Sequence, residues 1–348
     1  MNEKTQKIRI FICENIELSS SKLTTLVIER FSISRQAVHV HIQNLLKEKL
    51  ILAKKKGKFI SYSLKSLFAE KSQERILKNS NEYNISEKTI IPFFQKLNLS
   101  KNVSDIWMYG FSEMVNNLID HSSSKLAEIS LSHNYLYTEI KIHDIGIGIF
   151  KNLEKYFKIK EPQYALLELF KGKLTSDSSR HSGEGIFFTS RMFDFFQIRS
   201  GRYSFSKELS SDLWKLEEIS KQIIGTEIVL RLNNLSERQI NDVFLKYVIG
   251  DDFKFTKTEV RIELAEYGDV YLVSRSQAKR ILSRLENFTE VLFDFKNVEK
   301  VSPAFADELF RVSKNLYPKL KIKYCNAEPI VEIFIRKAIH SNNQISIE

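Results

Sequence analysis

Cysteine is scarce in this sequence, which has only two, Cys13 and Cys325, among 348 residues. Two thiols so far apart exclude a disulfide framework and a cysteine-rich metal site. A signal-peptide pattern and an apolar run long enough to cross a bilayer are also lacking, so we expect a cytoplasmic protein with no membrane partner. Internal repeats and long low-complexity tracts are missing as well. With 43% hydrophobic residues, a chain of this length is expected to fold as two or three packed domains.

Positive charge is concentrated in the first part of the chain. The net charge is +10, and residues 1–70 hold 13 lysines and arginines against six aspartates and glutamates, whereas the remaining residues hold 40 against 37. One fifth of the chain therefore carries most of the excess. This distribution predicts an anionic partner for the amino-terminal region.

The first 70 residues show two helical patterns followed by a hairpin. Residues 21–30 form the first pattern, and Ser34 can cap a second helix that runs to about Lys47. Polar residues of the second helix that lie away from its apolar face, and are free to contact a groove edge, are Arg35, Gln36, His39 and Gln43. The predicted hairpin turn contains the lysines Lys54, Lys55, Lys56 and Lys58.

This arrangement resembles a bacterial winged helix-turn-helix domain. The resemblance implies DNA binding, with residues 35–43 on the recognition helix and the lysines in the wing. The wing charges would give phosphate affinity that falls with salt, while the helix residues would read the base sequence. Two alternatives stay open, because winged helices also serve as docking or dimerisation modules and a lysine-rich turn can be a solvated hairpin tip.

A carboxylate at the end of a strand is the most informative feature of the middle of the chain. Side chains two apart share a face of a strand, so Ile140, Ile142 and Asp144 are expected to point inward together. A buried carboxylate needs a partner. Gly146 and Gly148 follow directly, where a backbone can approach a ligand closely. Nucleotide binding would use these features, and a strand end followed by a glycine turn is the simpler alternative.

A long amphipathic helix is predicted upstream, over residues 103–121. Its polar side carries Glu113, Asn117, Asp120 and His121 at positions i, i+4, i+7 and i+8, so these side chains project together. Glu113 could activate a water molecule, and the Asn117 side chain offers an oxygen to Mg²⁺. The alternative is an ordinary solvated face, although no lysine or arginine balances Glu113 there.

A polar segment lies downstream, over residues 172–185, and reads GKLTSDSSRHSGEG. Such a composition predicts a surface loop. Its end, with Ser182, Gly183 and Gly185, leads into a helical pattern over residues 187–196. Glycines that direct backbone N–H groups towards a helix start can bind phosphate, and a plain flexible linker is the alternative.

A strand over residues 223–232, opened by Gly225 and Thr226, completes a set of four elements. Taken in order, they resemble the Bergerat-type ATP-binding module of the GHKL superfamily, over about residues 85–235, and the helix is most similar to the anti-sigma branch. The resemblance implies an α/β sandwich that binds ATP and Mg²⁺, with Glu113 as general base and Asn117 as Mg²⁺ ligand. The other residues taken as cofactor-binding are Asp120, Asp144, Gly146, Gly148, Ser182, Gly183, Gly185 and Thr226.

In the last hundred residues, strands are predicted over 258–265 and 269–273 and a helix over 275–287. The alternating β-α-β-α-β-α pattern of this region predicts a parallel or mixed sheet. Residues 293–310, with the sequence FDFKNVEKVSPAFADELF, resemble STAS-like domains related to anti-sigma-factor antagonists. The antagonists carry a phosphorylatable serine at the start of this helix, where the present chain has Pro303. Ser302, just before it, suits a helix cap followed by a proline in the first turn.

The sequence therefore predicts a multidomain α+β protein. We expect a winged helix-turn-helix domain at 1–70, a connecting segment at 71–84, a GHKL ATP-binding domain at 85–240 and a STAS-like α/β domain at 241–348. The expected function is an ATP-binding, Mg-ATP-hydrolysing regulator that binds DNA. Nucleotide-dependent ordering of the predicted loop would switch contacts between domains, with a protein partner, or in a homodimer.

Two other functions stay open. One is an anti-sigma-like protein serine kinase acting on a STAS-type partner, in which the phosphate acceptor is a hydroxyl group and not water. The other is a scaffold that uses bound nucleotide only to stabilise its fold. A histidine kinase is not expected, because residues 71–100 contain no histidine and are too few for a dimerising helix pair.

Overall fold

The computed structural model describes residues 2–18, 20–57, 59–76, 80–174, 183–248, 254–266 and 271–340. Within these ranges the chain is a mixed α+β protein with three β-sheets, which agrees with the predicted class. Lys58 and Ser182, two of the predicted site residues, lie outside the described residues. Most of the loop predicted over 172–185 does so too.

The amino-terminal unit consists of three helices and a hairpin. Its elements are α1 (Glu3–Glu14), α2 (Ser20–Phe31), α3 (Arg35–Lys47), β1 (Ile51–Lys56) and β2 (Phe59–Leu64). Ser34 starts α3 as predicted, because its Oγ accepts a hydrogen bond from Ala37 N at 3.2 Å. The unit buries its own apolar core, which includes Ile12, Leu23, Val27, Val38, Ile42 and Leu45.

Three of the wing lysines lie on a strand and not in the turn. Lys54, Lys55 and Lys56 belong to β1 and pair with β2, so the predicted extent of the turn is wrong. Antiparallel pairing continues as far as Lys56. The next residue, Gly57, has a φ of 62°, which permits the tight turn. Because side chains alternate along a strand, Lys54 and Lys55 project from opposite faces of the hairpin.

The central unit is built on a five-stranded sheet. Its strands are β3 (Phe68–Arg75), β4 (Leu126–His133), β5 (Tyr137–Asp144), β6 (Phe195–Glu208) and β7 (Leu213–Asn233). The order is β3-β4-β5-β7-β6, and every neighbouring pair is antiparallel. Burial alternates along β5, so that Ile140, Ile142 and Asp144 are buried as predicted while the intervening side chains are half-buried.

Helices pack against the buried face of this sheet. They are α4 (Glu82–Lys88), α5 (Ile90–Gln95), α6 (Lys101–His121), α7 (Ile149–Phe157), α8 (Pro162–Lys171) and α9 (Gly185–Met192). The predicted apolar stripe of α6 is buried, namely Val103, Ile106, Trp107, Gly110, Phe111, Met114 and Leu118. No helix in the described part of the chain is both long and apolar enough to cross a membrane.

Two segments of the central unit differ from the expectation. Residues 71–84, expected as a connection, contain the end of β3, an edge strand of the sheet, and the start of α4. The helical pattern over 187–196 ends at Met192, and Phe196 lies in β6 opposite Leu230. Pairing with β7 prevails there over the local helical periodicity, since apolar runs of this length suit either element.

The carboxy-terminal unit contains a parallel sheet of three strands, β8 (Lys257–Arg261), β9 (Glu290–Asp294) and β10 (Lys321–Cys325), in the order β10-β9-β8. The parallel direction confirms the prediction from the alternating pattern. The helices are α10 (Ile240–Leu245), α11 (Arg275–Leu282), α12 (Pro303–Ala306), α13 (Ser313–Leu316) and α14 (Pro329–His340). A π-helical segment, Asp307–Val312, joins α12 to α13.

Some boundaries in this unit are shorter than expected. The strand predicted over 258–265 ends at Arg261 and continues as a 3₁₀ helix. The helix predicted over 275–287 ends at Leu282, because Arg284 adopts a left-handed conformation with a φ of 61°. Of the strand predicted over 269–273, part lies outside the described residues, and Leu272 forms a single bridge.

The central and carboxy-terminal units share one hydrophobic core. The rings of Phe187 and Phe188 in α9 lie 4.6 and 5.1 Å from the ring of Phe255, measured between centroids. The ring of Phe255 in turn lies 5.4 Å from that of Phe288. Aromatic side chains from both units therefore form one packed cluster.

Candidate functional site

A cavity opens between α6, α7, α8 and the buried face of the central sheet. Its empty space, counted together with the open solvent at its mouth, is about 840 Å³. The polar lining residues are Asn117, His121, Ser122, Asp144, Asn152 and Thr226. The apolar walls include Met114, Leu118, Ile142, Ile149, Leu153 and Ile228.

Asp144 lies at the end of β5 and lines this cavity with only 5% of its surface exposed. Its Oδ1 accepts a hydrogen bond from Gly146 N at 2.7 Å. Burial raises the pKa of this carboxyl group, and the backbone N–H groups of Gly146 and Thr226 partly oppose that rise. The cavity thus holds a hydrogen-bond acceptor in mostly apolar surroundings.

Both predicted loop glycines are required by close packing. A Cβ atom on Gly146 would lie 1.9 Å from the backbone oxygen of Ser122, at the end of α6. At Gly148, φ is 88° and a Cβ atom would lie 2.6 Å from Ser200 Oγ. Larger residues would push the turn away from α6 and from β6. Gly148 lines the cavity, while Gly146 acts through its N–H bond to Asp144.

Thr226 supports the same turn from β7. Its Oγ1 accepts a hydrogen bond from Ile149 N at 2.9 Å, at the first residue of α7. Since Thr226 also lines the cavity, one hydroxyl group both contacts the cavity and fixes the start of α7. The structure thus brings four of the predicted cofactor-binding residues to one cavity, namely Asn117, Asp144, Gly148 and Thr226.

Two carboxamide groups in the cavity have an unsatisfied buried atom. Asn117 Nδ2 is buried without a hydrogen-bond partner. Asn152 Nδ2 donates to the backbone oxygen of His121 at 2.9 Å, while Asn152 Oδ1 is buried and has no partner. Buried polar atoms are nearly always paired in folded proteins, so a polar ligand that both accepts and donates would fit between these groups.

Glu113 lies beside the cavity and is not part of its lining. It accepts a hydrogen bond from the Tyr109 hydroxyl group, one turn earlier on α6. Burial raises the pKa of Tyr109, and the carboxylates of Glu113 and Glu184 raise it further. A Cβ atom on Gly185 would lie 2.2 Å from Glu113 Oε2, so the start of α9 sits directly against this carboxylate.

Two further predicted residues, Asp120 and Gly183, do not line the cavity either. Asp120 is exposed on α6. Gly183 has a φ of 71°, and a Cβ atom there would lie 2.6 Å from Leu174 N. The two described ends of the predicted loop, at Leu174 and Gly183, are therefore in close contact.

Sequence reasoning missed several lining residues. Ser122 and Asn152 are polar, and Tyr156, Phe157, Leu174 and Ile186 are apolar. Asn152 lies four residues after Gly148, one turn into α7, so a helix predicted after the glycine turn could have identified it. Ser122 is placed by tertiary packing, since its backbone oxygen accepts from Ile147 N at 2.8 Å.

The predicted DNA-contacting residues are on the surface of the amino-terminal unit. Arg35, Gln36, His39 and Gln43 are all exposed on α3, and Lys54 and Lys55 are exposed on β1. Another part of the unit contacts the central unit, because Tyr135 and Leu136 of the β4–β5 turn pack against its core. The Arg9 guanidinium lies over the Tyr135 ring, 5.8 Å from its centroid.

Ser302 forms the expected cap. Its Oγ accepts a hydrogen bond from Phe305 N at 3.0 Å and donates to the backbone oxygen of Val273 at 2.6 Å. Pro303 occupies the first turn of α12. The hydroxyl group therefore has a structural function at this helix start.

Comparison with known proteins supports one of the three units. The family described as "STAS-like domain of unknown function (DUF4325)" matches residues 277–332. This segment contains most of α11, the strands β9 and β10, and the start of α14. A STAS-like domain is therefore found at residues 277–332, within the predicted carboxy-terminal unit. No curated protein matches the chain.

Proposed function

We propose that the central unit binds ATP with Mg²⁺ and that the whole chain is a DNA-associated regulator controlled by this nucleotide. The observation that carries the proposal is the Asp144 carboxylate, held by Gly146 N at 2.7 Å at one end of a mostly apolar cavity. A flat heterocycle with an exocyclic amino group fits such surroundings, because apolar walls hold its faces and the carboxylate accepts its N–H bond.

We assign the phosphate end of the nucleotide to the side of the cavity that α6 forms. Asn117 lines the cavity and has an unsatisfied buried amide group, and a carboxamide oxygen is a suitable ligand for Mg²⁺. Bound Mg²⁺ would neutralise charge on the phosphate groups. Asn152, with its unpaired Oδ1, offers a further acceptor on the same side of the cavity.

Glu113 is the residue we assign to hydrolysis. Its carboxylate is fixed by the Tyr109 hydroxyl group and by the close approach of Gly185. A carboxylate in this position would orient a water molecule and accept its proton as the water attacks the terminal phosphate. The start of α9 also directs backbone N–H groups to this place, which favours phosphate.

DNA is the partner we assign to the amino-terminal unit. The exposed residues of α3 and the exposed lysines of β1 lie away from the contact with the central sheet. Nucleotide binding would change the contacts between this unit, the central unit and the STAS-like domain. Such a change requires that the nucleotide bind one arrangement more tightly than another.

The test compares wild type, Glu113→Ala and Asp144→Ala by calorimetric titration with Mg–ATP and by phosphate release. Glu113→Ala should bind ATP and lose turnover, whereas Asp144→Ala should lose binding. Asp105→Ala, at an exposed position of the same helix, is the matched control and should behave as wild type. Equal ATP affinity in wild type and Asp144→Ala would refute the nucleotide assignment.

Mass spectrometry on the same reactions separates hydrolysis from protein phosphorylation. Phosphate release that depends on Glu113, without phosphoserine on the chain, supports the hydrolytic regulator. Phosphate transferred to the chain or to an added STAS-type protein would instead establish the serine kinase.

A further inference from the structure

The cavity has a second wall, made by α7 and α8, that touches the STAS-like domain. Leu169 of α8 and Phe157 of α7 line the cavity. From Gln163 to Lys171 every residue of α8 is buried, the charged ones included. A helix buried on all sides lies between two other structures, and here these are the central sheet and the STAS-like domain.

The charged residues of α8 are satisfied partly by the STAS-like domain. Lys171 Nζ donates to Glu168 Oε1 at 2.6 Å and to the backbone oxygen of Ser283 at 2.8 Å. Thr258 Oγ1 of β8 donates to the backbone oxygen of Lys171 at 2.7 Å. Because buried charges require complete pairing, separation of the two units would leave Lys171 poorly satisfied.

The segment that follows α8 also contacts the STAS-like domain. Lys173 Nζ donates to the backbone oxygen of Asn287 at 2.7 Å and lies over the rings of Phe255 and Phe288. The next residue, Leu174, lines the cavity. Lys173, which contacts the STAS-like domain, is therefore adjacent in sequence to a residue that lines the cavity.

Arg284 reaches the cavity wall most directly. The carbon atom of its guanidinium group lies 4.5 Å from the centroid of the Phe157 ring, and that ring lines the cavity. A cation over an aromatic face fixes the ring position. Arg284 also forms an ion pair with Glu168 of α8, at 3.9 Å, and does not itself line the cavity, so it acts on a ligand through α7 and α8 and is a positioning residue.

We propose that docking of the STAS-like domain sets the shape of the cavity wall, through Arg284 on Phe157 and Lys173 beside Leu174. Removal of either contact loosens the wall formed by α7 and α8. A ligand that needs the ordered wall then binds more weakly, and by reciprocity a bound ligand strengthens docking. This last consequence rests on the proposed ATP site.

The chain offers a matched control at Arg280. Its guanidinium also joins the two units, through Glu161 at 2.9 Å and over the Tyr164 ring, 4.7 Å from the centroid. Tyr164 does not line the cavity. Arg280→Met therefore removes a comparable contact between the units at residues that do not line the cavity.

The first experiment needs no nucleotide. Hydrogen exchange of the α7 peptide, residues 149–157, is compared in wild type, Arg284→Met, Lys173→Met and Arg280→Met. We expect exchange about fivefold faster or more in the first two variants and little change in Arg280→Met. Arg284→Lys, which keeps a cation near the ring, should recover part of the protection. Equal exchange in Arg284→Met and Arg280→Met would overturn the proposal.

The second experiment adds Mg–ATP to the same proteins. Affinity should fall about fivefold or more in Arg284→Met and Lys173→Met, and saturating Mg–ATP should slow exchange over residues 285–288 in wild type. Unchanged affinity together with loosened α7 would overturn the coupling to the ligand. If wild type binds no Mg–ATP, the proposed function fails, while the nucleotide-free comparison still decides whether the STAS-like domain sets the wall.

Discussion

The Glu113 carboxylate and the α-carbon of Gly185 are in direct contact. A Cβ atom at position 185 would lie 2.2 Å from Glu113 Oε2 and 3.3 Å from Glu113 Cβ. The glycine at the first position of α9 therefore leaves room for the carboxylate that we assign to hydrolysis. This contact links the end of the predicted loop to the long helix α6.

Gly185→Ala should separate ATP binding from turnover. The added methyl group forces the Glu113 carboxylate to move, so phosphate release should fall about tenfold or more, while ATP affinity stays within about threefold. Thermal melting of the variant shows whether the displaced carboxylate also lowers stability. Steady-state kinetics measures phosphate release, and calorimetry measures ATP affinity.

Gly201→Ala is the control for that variant, because a Cβ atom at Gly201 would meet nothing within 4 Å. Its left-handed φ of 59° predicts a modest loss of stability and no effect on turnover. Normal turnover in Gly185→Ala would contradict the position that we assign to Glu113.

Asp144→Asn should improve stability at neutral pH and weaken ATP binding. Burial raises the pKa of Asp144 in the folded protein. The folded state therefore holds the proton more tightly than the unfolded state, and this stabilisation is lost as pH rises through the folded pKa. An asparagine keeps the acceptor for Gly146 N without the charge, but presents an amide N–H group to the ligand.

Thermal unfolding between pH 4 and pH 8 tests the first half of this prediction. Wild type should lose stability relative to Asp144→Asn as the pH increases. Mg–ATP affinity of the variant should fall about tenfold or more at neutral pH. A variant that is less stable than wild type at every pH would contradict the raised pKa of Asp144 in the folded protein.

Removal of wing charge should reduce DNA affinity and its salt dependence. The double variant Lys54→Ala/Lys55→Ala should lower the slope of log affinity against log salt by about two, roughly one for each phosphate contact. Fluorescence anisotropy with duplex DNA over a series of salt concentrations measures this slope. Lys314→Ala/Lys319→Ala, two exposed lysines of the carboxy-terminal unit, removes the same charge. Equal slopes in the two double variants would exclude the wing as the DNA contact.

Glu266 should make the carboxy-terminal unit sensitive to pH. Burial raises the pKa of this carboxyl group to about 7, with smaller effects from Glu263 and Glu299. The group therefore contributes stability at pH below about 4.5, which is lost as the pH rises through about 7. Glu266→Gln should flatten the decline of melting temperature between pH 5 and pH 8. Glu237→Gln, at an exposed position, should leave the wild-type profile unchanged.

Elements with a clear periodicity could be predicted from the sequence. The alternation of Ile140, Ile142 and Asp144 identified β5 and its buried carboxylate, and the spacing of apolar residues identified α6. The order of strands and helices predicted the parallel sheet of the STAS-like domain. In each case local side-chain spacing determines which face is buried.

Features that depend on distant contacts could not be predicted. The strand β7 extends back to Leu213, although Lys215, Glu217 and Glu218 are charged, because it pairs with β6 as a long hairpin. Lys171 and Glu168 are almost fully buried, and nothing in their local sequence distinguishes them from exposed helix residues. The wall formed by α7 and α8 is likewise set by residues more than a hundred positions away, such as Ser283.

The shared aromatic cluster has a consequence for synthesis on the ribosome. Phe187 and Phe188 are covered by Phe255, which in turn contacts Phe288. When the nascent chain has emerged only as far as residue 240, these rings lack the part of their cover that Phe244, Tyr247 and Phe255 provide, and they expose apolar surface to other chains. Fragments from premature termination before Phe255 should therefore aggregate, and delayed translation of the last hundred codons would extend the time during which chaperones must protect the growing polypeptide.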